Sequence, residues 1–151
     1  VTGVQTCALP ILPVLQDDID KGLGDLADDS FDVVILSLTL QAVHHPAFVL
    51  REMHRVARRS IVSFPNFAHW RLRTQLAASG RMPVSPLLPY SWYETPNIRL
   101  CSITDFEALA HAEGFAVERR VLLDEAGRRQ DGITARAPNL LAAGAVYLLS
   151  R

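Results

Sequence analysis

Three carboxylates crowd together early in the chain, Asp17, Asp18 and Asp20, directly after the short apolar stub Val14-Leu15-Gln16. A carboxylate just past a strand can accept hydrogen bonds from a ribose hydroxyl or an adenine amino group. A solvated acidic turn is the plainer reading of the same run. Ser37, Thr39 and Gln41 follow one apolar run, and Pro65, Asn66 and Phe67 follow a second. Ligands of α/β sheets bind at the carboxyl ends of the strands, so polar groups at both places are site candidates. They are also where helix caps and backbone-satisfying side chains sit. Tyr90, Trp92 and Tyr93 stand in a proline-rich segment, where they either wall a pocket or pin the loop to the core.

Other patterns are weaker. Gly22-Leu23-Gly24-Asp25-Leu26-Ala27 has the G-x-G-x-x-A form of a dinucleotide loop. That loop must open a helix whose amino end faces a phosphate. Only a few polar residues separate it from the strand-like run at Phe31, so there is no room for the helix. His44, His45, His54, His69 and Cys101 lack the H-x-x-x-H or C-x-x-C spacing of a metal site, and the histidines are expected to be exposed or helix-capping. No nucleophile elbow is present.

These residues need elements to hold them. Phe31 to Ser37 (FDVVILS) is a continuous β-branched run, read as a strand buried on both faces. Pro46 suits the first turn of a helix, and Val49, Met53, Val56 and Ala57 follow at helical spacing. Arg55, Arg58 and Arg59 crowd its end, where the helix dipole favours cations. Ser60 to Phe64 is a second buried strand stopped by Pro65, which completes a right-handed βαβ unit. His69 to Ser79 forms a helix with Leu72 and Leu76 on one face and Gly80 beyond its end. Residues 81–100 are an irregular loop. Thr104-Asp105-Phe106-Glu107 reads as a capping box opening a helix that Gly114 ends. Phe115 to Leu123 and Ala145 to Leu149 are strands, with a polar loop over 124–139.

The whole chain has 151 residues, 49% of them hydrophobic and 21% charged, which fits one globular domain. No apolar run approaches the roughly 18 residues of a membrane span, so no membrane is expected. A formal charge of -1 gives no reason to expect nucleic acid. Two cysteines, Cys7 and Cys101, make no disulfide framework, so a reducing, cytoplasmic setting is expected. Val1 to Ile11 reads VTGVQTCALPI, and a back-translation of it reproduces a widely used sequencing-library adapter. Residues 1–11 are therefore expected to be a non-native segment, and residues 12–151 the C-terminal part of a single domain.

The runs FDVVILSLTLQ, PAFVLREMHRVARRSIVSFPNFAHWRLR, GRMPV, LPYSWYETPNI and LCSITDFEAL resemble the MetW family of methionine-biosynthesis proteins. The resemblance extends from about Val14 to the C-terminus. It implies a partial Rossmann-like class I methyltransferase fold, α/β with a mostly parallel sheet. The strands retained are those the family numbers 4, 5, 7 and 6, and its strands 1 and 2 are missing. It implies S-adenosylmethionine as cofactor of the full-length parent, with none binding this fragment. Asp18 and Ile19 match the positions near the adenine, and Ser37, Leu38 and Gln41 the segment lining the cofactor pocket. Asn66, Tyr90, Trp92 and Tyr93 are left for a pocket rim or an interface. The chain departs from the family at Leu38, usually Gln, and at Arg99, usually His. The family's glycine-rich loop is not in the sequence. The implied role is accessory to homoserine O-acyltransferase, as a partner; the alternative is methylation of an unidentified small molecule.

Overall fold

The computed structural model describes residues 16–150. The expectations about Val14, Leu15 and residues 1–11 lie outside the described residues. Five strands form one sheet: β1 (Phe31–Ser37), β2 (Ala57–Pro65), β3 (Ala116–Leu123), β4 (Arg129–Gln130) and β5 (Gly144–Ser150), in the order β1-β2-β5-β3-β4. The helices are α1 (Pro46–Val56), α2 (Trp70–Ser79), α3 (Ile103–Ala112) and the single turns α4 (Ile133–Arg136) and α5 (Pro138–Leu141).

The chain from β1 through α1 to β2 is the βαβ unit anticipated above, and β1 and β2 pair in parallel from Phe31↔Ala57 to Ser37↔Ser63. Pro46 sits in the first turn of α1, where its missing N–H costs nothing, and Val49, Leu50, Met53 and Val56 are fully buried. β5 enters between β2 and β3 and runs against both, and β4 folds back on β3. The sheet is therefore mixed, which corrects the expectation of a mostly parallel sheet. The reason is topological: an antiparallel strand in an interior position turns both of its ladders antiparallel, and among the described strands this leaves β1–β2 as the one parallel pair.

The core lies between this sheet, α1 and α3. Phe64, Phe106 and Tyr147 stack at its centre, with ring centroids 4.6 Å apart for Phe64–Phe106 and 4.7 Å for Phe106–Tyr147. Tyr147 donates its hydroxyl to Glu107 (2.7 Å), which also pairs with Arg120 (2.7 Å). Burial and the Glu107 carboxylate push the Tyr147 phenol well above its ordinary range.

Several local expectations need correction. β1 is not buried on both faces: Phe31, Val33 and Ile35 are exposed, and Leu36 is the buried residue of the strand. β2 begins at Ala57, so Arg58 and Arg59 are strand residues and not the end of a helix. Arg55 does lie in the last turn of α1, but its guanidinium is spent on Glu52 one turn back and on the preceding loop, where it donates to the carbonyls of Leu23 and Leu26 and to Asp28. The cap of α3 is Ser102, whose hydroxyl accepts from the Asp105 amide, two residues earlier than the capping box read at Thr104. Residues 124–139, expected to be a polar loop, carry β4, α4 and the start of α5. Leu76 on α2 is exposed, while Leu72 is buried. Gly80 ends α2 in the left-handed conformation.

Candidate functional site

The carboxyl ends of β1 and β2 make the most organised polar corner. Ser37 and Ser63 face each other in the ladder, with hydroxyls 3.4 Å apart. The chain then bends sharply. Leu38 has φ 50, a left-handed conformation that a Leu side chain resists by about 1 kcal/mol or more. The bend is held from several sides. The Leu38 amide donates to the Ser63 carbonyl (3.0 Å) and hydroxyl (3.1 Å), and the Thr39 hydroxyl to the Ser37 carbonyl (2.8 Å). The Gln41 side-chain amide donates back to the Leu38 carbonyl (2.8 Å). The bend leaves Leu38 pointing into solvent.

Gln41 lies in the 3-10 turn Leu40–Ala42 and is 6% exposed. Its backbone carbonyl accepts from Ile98 and Arg99 (2.9 Å each), which ties the 81–100 loop to this corner. Its Oε1 is buried and meets no donor among the described residues. A buried acceptor left unpaired costs about 1–3 kcal/mol, so this oxygen has capacity for a donor.

The acidic run divides its labour. Asp20 accepts from the amides of His44 (2.9 Å) and His45 (3.0 Å) and faces the His44 ring nitrogen at 3.0 Å. Chiefly the His44 amide holds its carboxyl down to about 2. Asp18 caps the 3-10 turn Ile19–Lys21 by accepting from the Asp20 amide (3.1 Å), and pairs with Lys21 at 3.4 Å. Its carboxylate stays half exposed. Ile19 packs against the core and opens on a groove of about 410 Å³ lined also by Gln16, Asp17, Leu23, Asp25 and Leu26. This groove is apolar with carboxylates at its rim, a chemistry that suits a flat heterocycle with a polar edge.

The predicted residues therefore fall in two groups. Asp18 and Ile19 belong to the acidic turn, and Ser37, Leu38 and Gln41 to the β1 corner. Asp20, through His44 and His45, stitches the two together. Asn66 is 1% exposed, and its amide is fully engaged. It donates to the carbonyls of Asn139 (3.0 Å) and Ala142 (2.7 Å) and accepts from the Ala68 amide (3.1 Å). It organises the loop after β2 and presents no free group at a rim. Tyr90, Trp92 and Tyr93 are exposed on the 81–100 loop.

Sequence reasoning missed Ser63, although a serine in the middle of the apolar run SIVSF was a usable signal. It also missed a second polar hollow of about 300 Å³, lined by His69, Trp70, Arg71, Asp124, Glu125 and Gln130 among others. His69 there is buried and is the N-cap of α2, its carbonyl accepting from the Leu72 and Arg73 amides, so of the two expected places it takes the helix-capping one. Desolvation lowers its pKa, opposed by Glu125, whose carboxylate lies 3.9 Å from the ring and 2.6 Å from Arg71. Nothing in the order of the sequence brings residue 69 to residue 125; the β3–β4 hairpin does.

Against known proteins, the family model described as methionine biosynthesis protein MetW matches residues 1–149. The chain belongs to the MetW family. A curated relative in Rhodopirellula baltica, the bifunctional methionine biosynthesis protein MetXA/MetW, is 38% identical over 142 residues, which is 93% of this chain and 22% of the relative. The chain thus spans about a fifth of that protein's length. Among solved structures, a SAM-dependent methyltransferase from Thermotoga maritima matches with TM-score 0.59 and 17% identity, over 92% of this chain and 64% of that one. Another from Archaeoglobus fulgidus gives TM-score 0.56 and 11% identity, over 93% and 68%. At these identities the likeness is one of fold: this MetW chain has the α/β fold of class I SAM-dependent methyltransferases. Among its described residues no helix is long and apolar enough to cross a membrane.

Proposed function

We propose that this MetW chain acts in methionine biosynthesis as an accessory to homoserine O-acyltransferase, in the cytoplasm, and carries part of a methyltransferase-like S-adenosylmethionine site. The observation that carries the reading is the Rhodopirellula baltica relative, in which a MetW segment and a MetXA segment share one bifunctional chain. Fusion holds two functions side by side in one protein, and separate chains of the same kinds can reach that arrangement by docking.

The residues fit a nucleoside in part. Ile19 offers an apolar wall and Asp18 a half-exposed carboxylate for an amino or hydroxyl donor. Ser37 and Leu38 offer the exposed corner, and Gln41 Oε1 an unused acceptor. When bound, S-adenosylmethionine supplies an activated methyl group. The glycine-rich loop that would cradle its methionine end has no counterpart among the 151 residues. On this reading the 151-residue chain by itself transfers no methyl group. The second reading, a methyltransferase for an unidentified small molecule, draws on the fold of its structural neighbours.

The test measures two things on the 151-residue protein. Added to homoserine O-acyltransferase from the same source, it raises acyl-transfer activity; no stimulation and no association would sink the accessory role. Isothermal titration with S-adenosylmethionine shows no saturable binding in the micromolar range. Loss of several hydrogen bonds, each about 1.5–3 kcal/mol, removes a micromolar affinity of about 8 kcal/mol. Saturable one-to-one micromolar binding would show that the site is complete without the loop.

A further inference from the structure

The 81–100 loop is exposed, ordered and aromatic, and no role in the fold accounts for its outer face. Trp92 is 73% exposed and stands edge-on to Tyr93, ring centroids 5.7 Å apart. Met82, Pro83, Leu88, Tyr90, Trp92 and Leu100 line one shallow depression, so residues from both ends of the loop meet on a single apolar face. Contiguous apolar surface of this kind, rimmed by polar groups, marks an interaction site. Trp, Tyr and Met are the residues that anchor interface centres.

The loop is also preorganised. Ile98 and Arg99 donate their amides to the Gln41 carbonyl, the Arg99 guanidinium donates to the His44 carbonyl (2.9 Å), and Ser85 bridges Leu88. A face already held in shape gives up little entropy on binding.

Charge narrows the occupant. Between residues 67 and 100 the sequence carries Arg71, Arg73, Arg81 and Arg99 against the single acid Glu94, while the chain as a whole is at -1. In sequence, Arg81 directly precedes Met82 and Arg99 directly precedes Leu100, two residues of the apolar face. Arg81 is exposed and has no carboxylate partner among the described residues. A basic rim around aromatic anchors fits a protein surface that offers carboxylates around an apolar recess.

We propose that this face is where the acyltransferase docks, with Trp92 and Tyr93 entering an apolar recess on it and Arg81 and Arg99 meeting acidic residues around that recess. This rests on the accessory reading above. The fusion in Rhodopirellula baltica names the partner, and the loop names the surface and the chemistry it requires.

The test is a titration of homoserine O-acyltransferase from the same source with the full chain, the Trp92→Ala and Arg81→Glu variants, and Phe31→Ala as an exposed control on β1. Far-UV circular dichroism and thermal melts confirm that each variant is folded. Trp92→Ala weakens the complex about tenfold or more. Arg81→Glu weakens it several-fold at about 0.05 M salt, with the difference shrinking toward about 0.5 M as charges are screened. Phe31→Ala leaves it unchanged. If the wild-type chain binds and Trp92→Ala binds equally well, the docking face is elsewhere and the accessory reading stands. If the wild-type chain does not bind at all, both fall. If sedimentation shows that Trp92→Ala instead dissolves a self-associated species, the face serves a second copy of the chain and the proposal is overturned.

Discussion

β1 and β5 are strands of equal length and similar apolar content, Phe31–Ser37 and Gly144–Ser150. Their environments are opposite. β5 is flanked by β2 and β3, and Tyr147 and Leu149 are fully buried. β1 pairs with β2 alone among the described strands, and Ile35 is 66% exposed. Residue type decides that a segment is extended; the neighbours on each side decide what its side chains are worth. The same distinction separates the two ends of the molecule. The β2–β5–β3 region is held by buried aromatic contact, and the β1 corner with the acidic turn is held by directed polar bonds.

The sharpest way to break this comparison is a matched pair of truncations. Phe64→Ala removes the centre of the aromatic cluster and costs about 3–5 kcal/mol, whereas Ile35→Ala on the exposed face of β1 costs under about 1 kcal/mol. Urea unfolding of both variants is the measurement, and comparable losses would show that β1 is packed against something that buries it. Next in size is Asn66→Ala. It leaves the carbonyls of Asn139 and Ala142 without a buried donor and lowers stability by about 2–3 kcal/mol in the same assay; a neutral result would mean that water replaces the amide at no cost.

The smallest effect lies in the acidic turn and is visible through pH. The folded Asp20 carboxyl titrates at about 2, below its ordinary 3.8, so the folded state favours the ionised form. Its contribution is present in full above the ordinary value and is lost as pH falls from about 3.8 through about 2. Asp20→Asn flattens that part of the stability profile relative to wild type. Parallel acid-denaturation curves for the two proteins would show that the His44 and His45 amides do not hold the turn.

Much of the framework is legible in residue order. The bounds of β1 coincide with the run FDVVILS, because β-branched residues between a polar loop and a bend leave little choice. Gly80 and Gly114 mark helix ends because each takes the left-handed conformation required there. What resists reading is set by contacts far apart in sequence. The burial of β1 depends on which strands flank it. The role of Asp20 depends on amides 24 and 25 positions away, and that of Asn66 on carbonyls 73 and 76 away. Of the candidate site, the post-strand position of Ser37, Leu38 and Gln41 was readable. The left-handed bend at Leu38 was not, because no local pattern predicts a leucine there.

α1 and β2 are joined without a loop. Val56 closes the helix and Ala57 opens the strand, with no connecting residue between them. Both elements present a fixed face to the same core: Val49, Leu50, Met53 and Val56 from one, Ser60, Val62 and Phe64 from the other. The two periodicities are therefore geared together. One residue inserted at the seam would turn the helix by about 100° relative to the sheet, or move every strand side chain to the opposite face. The seam has no slack to absorb a change in length, and substitutions there are survivable where insertions and deletions are not.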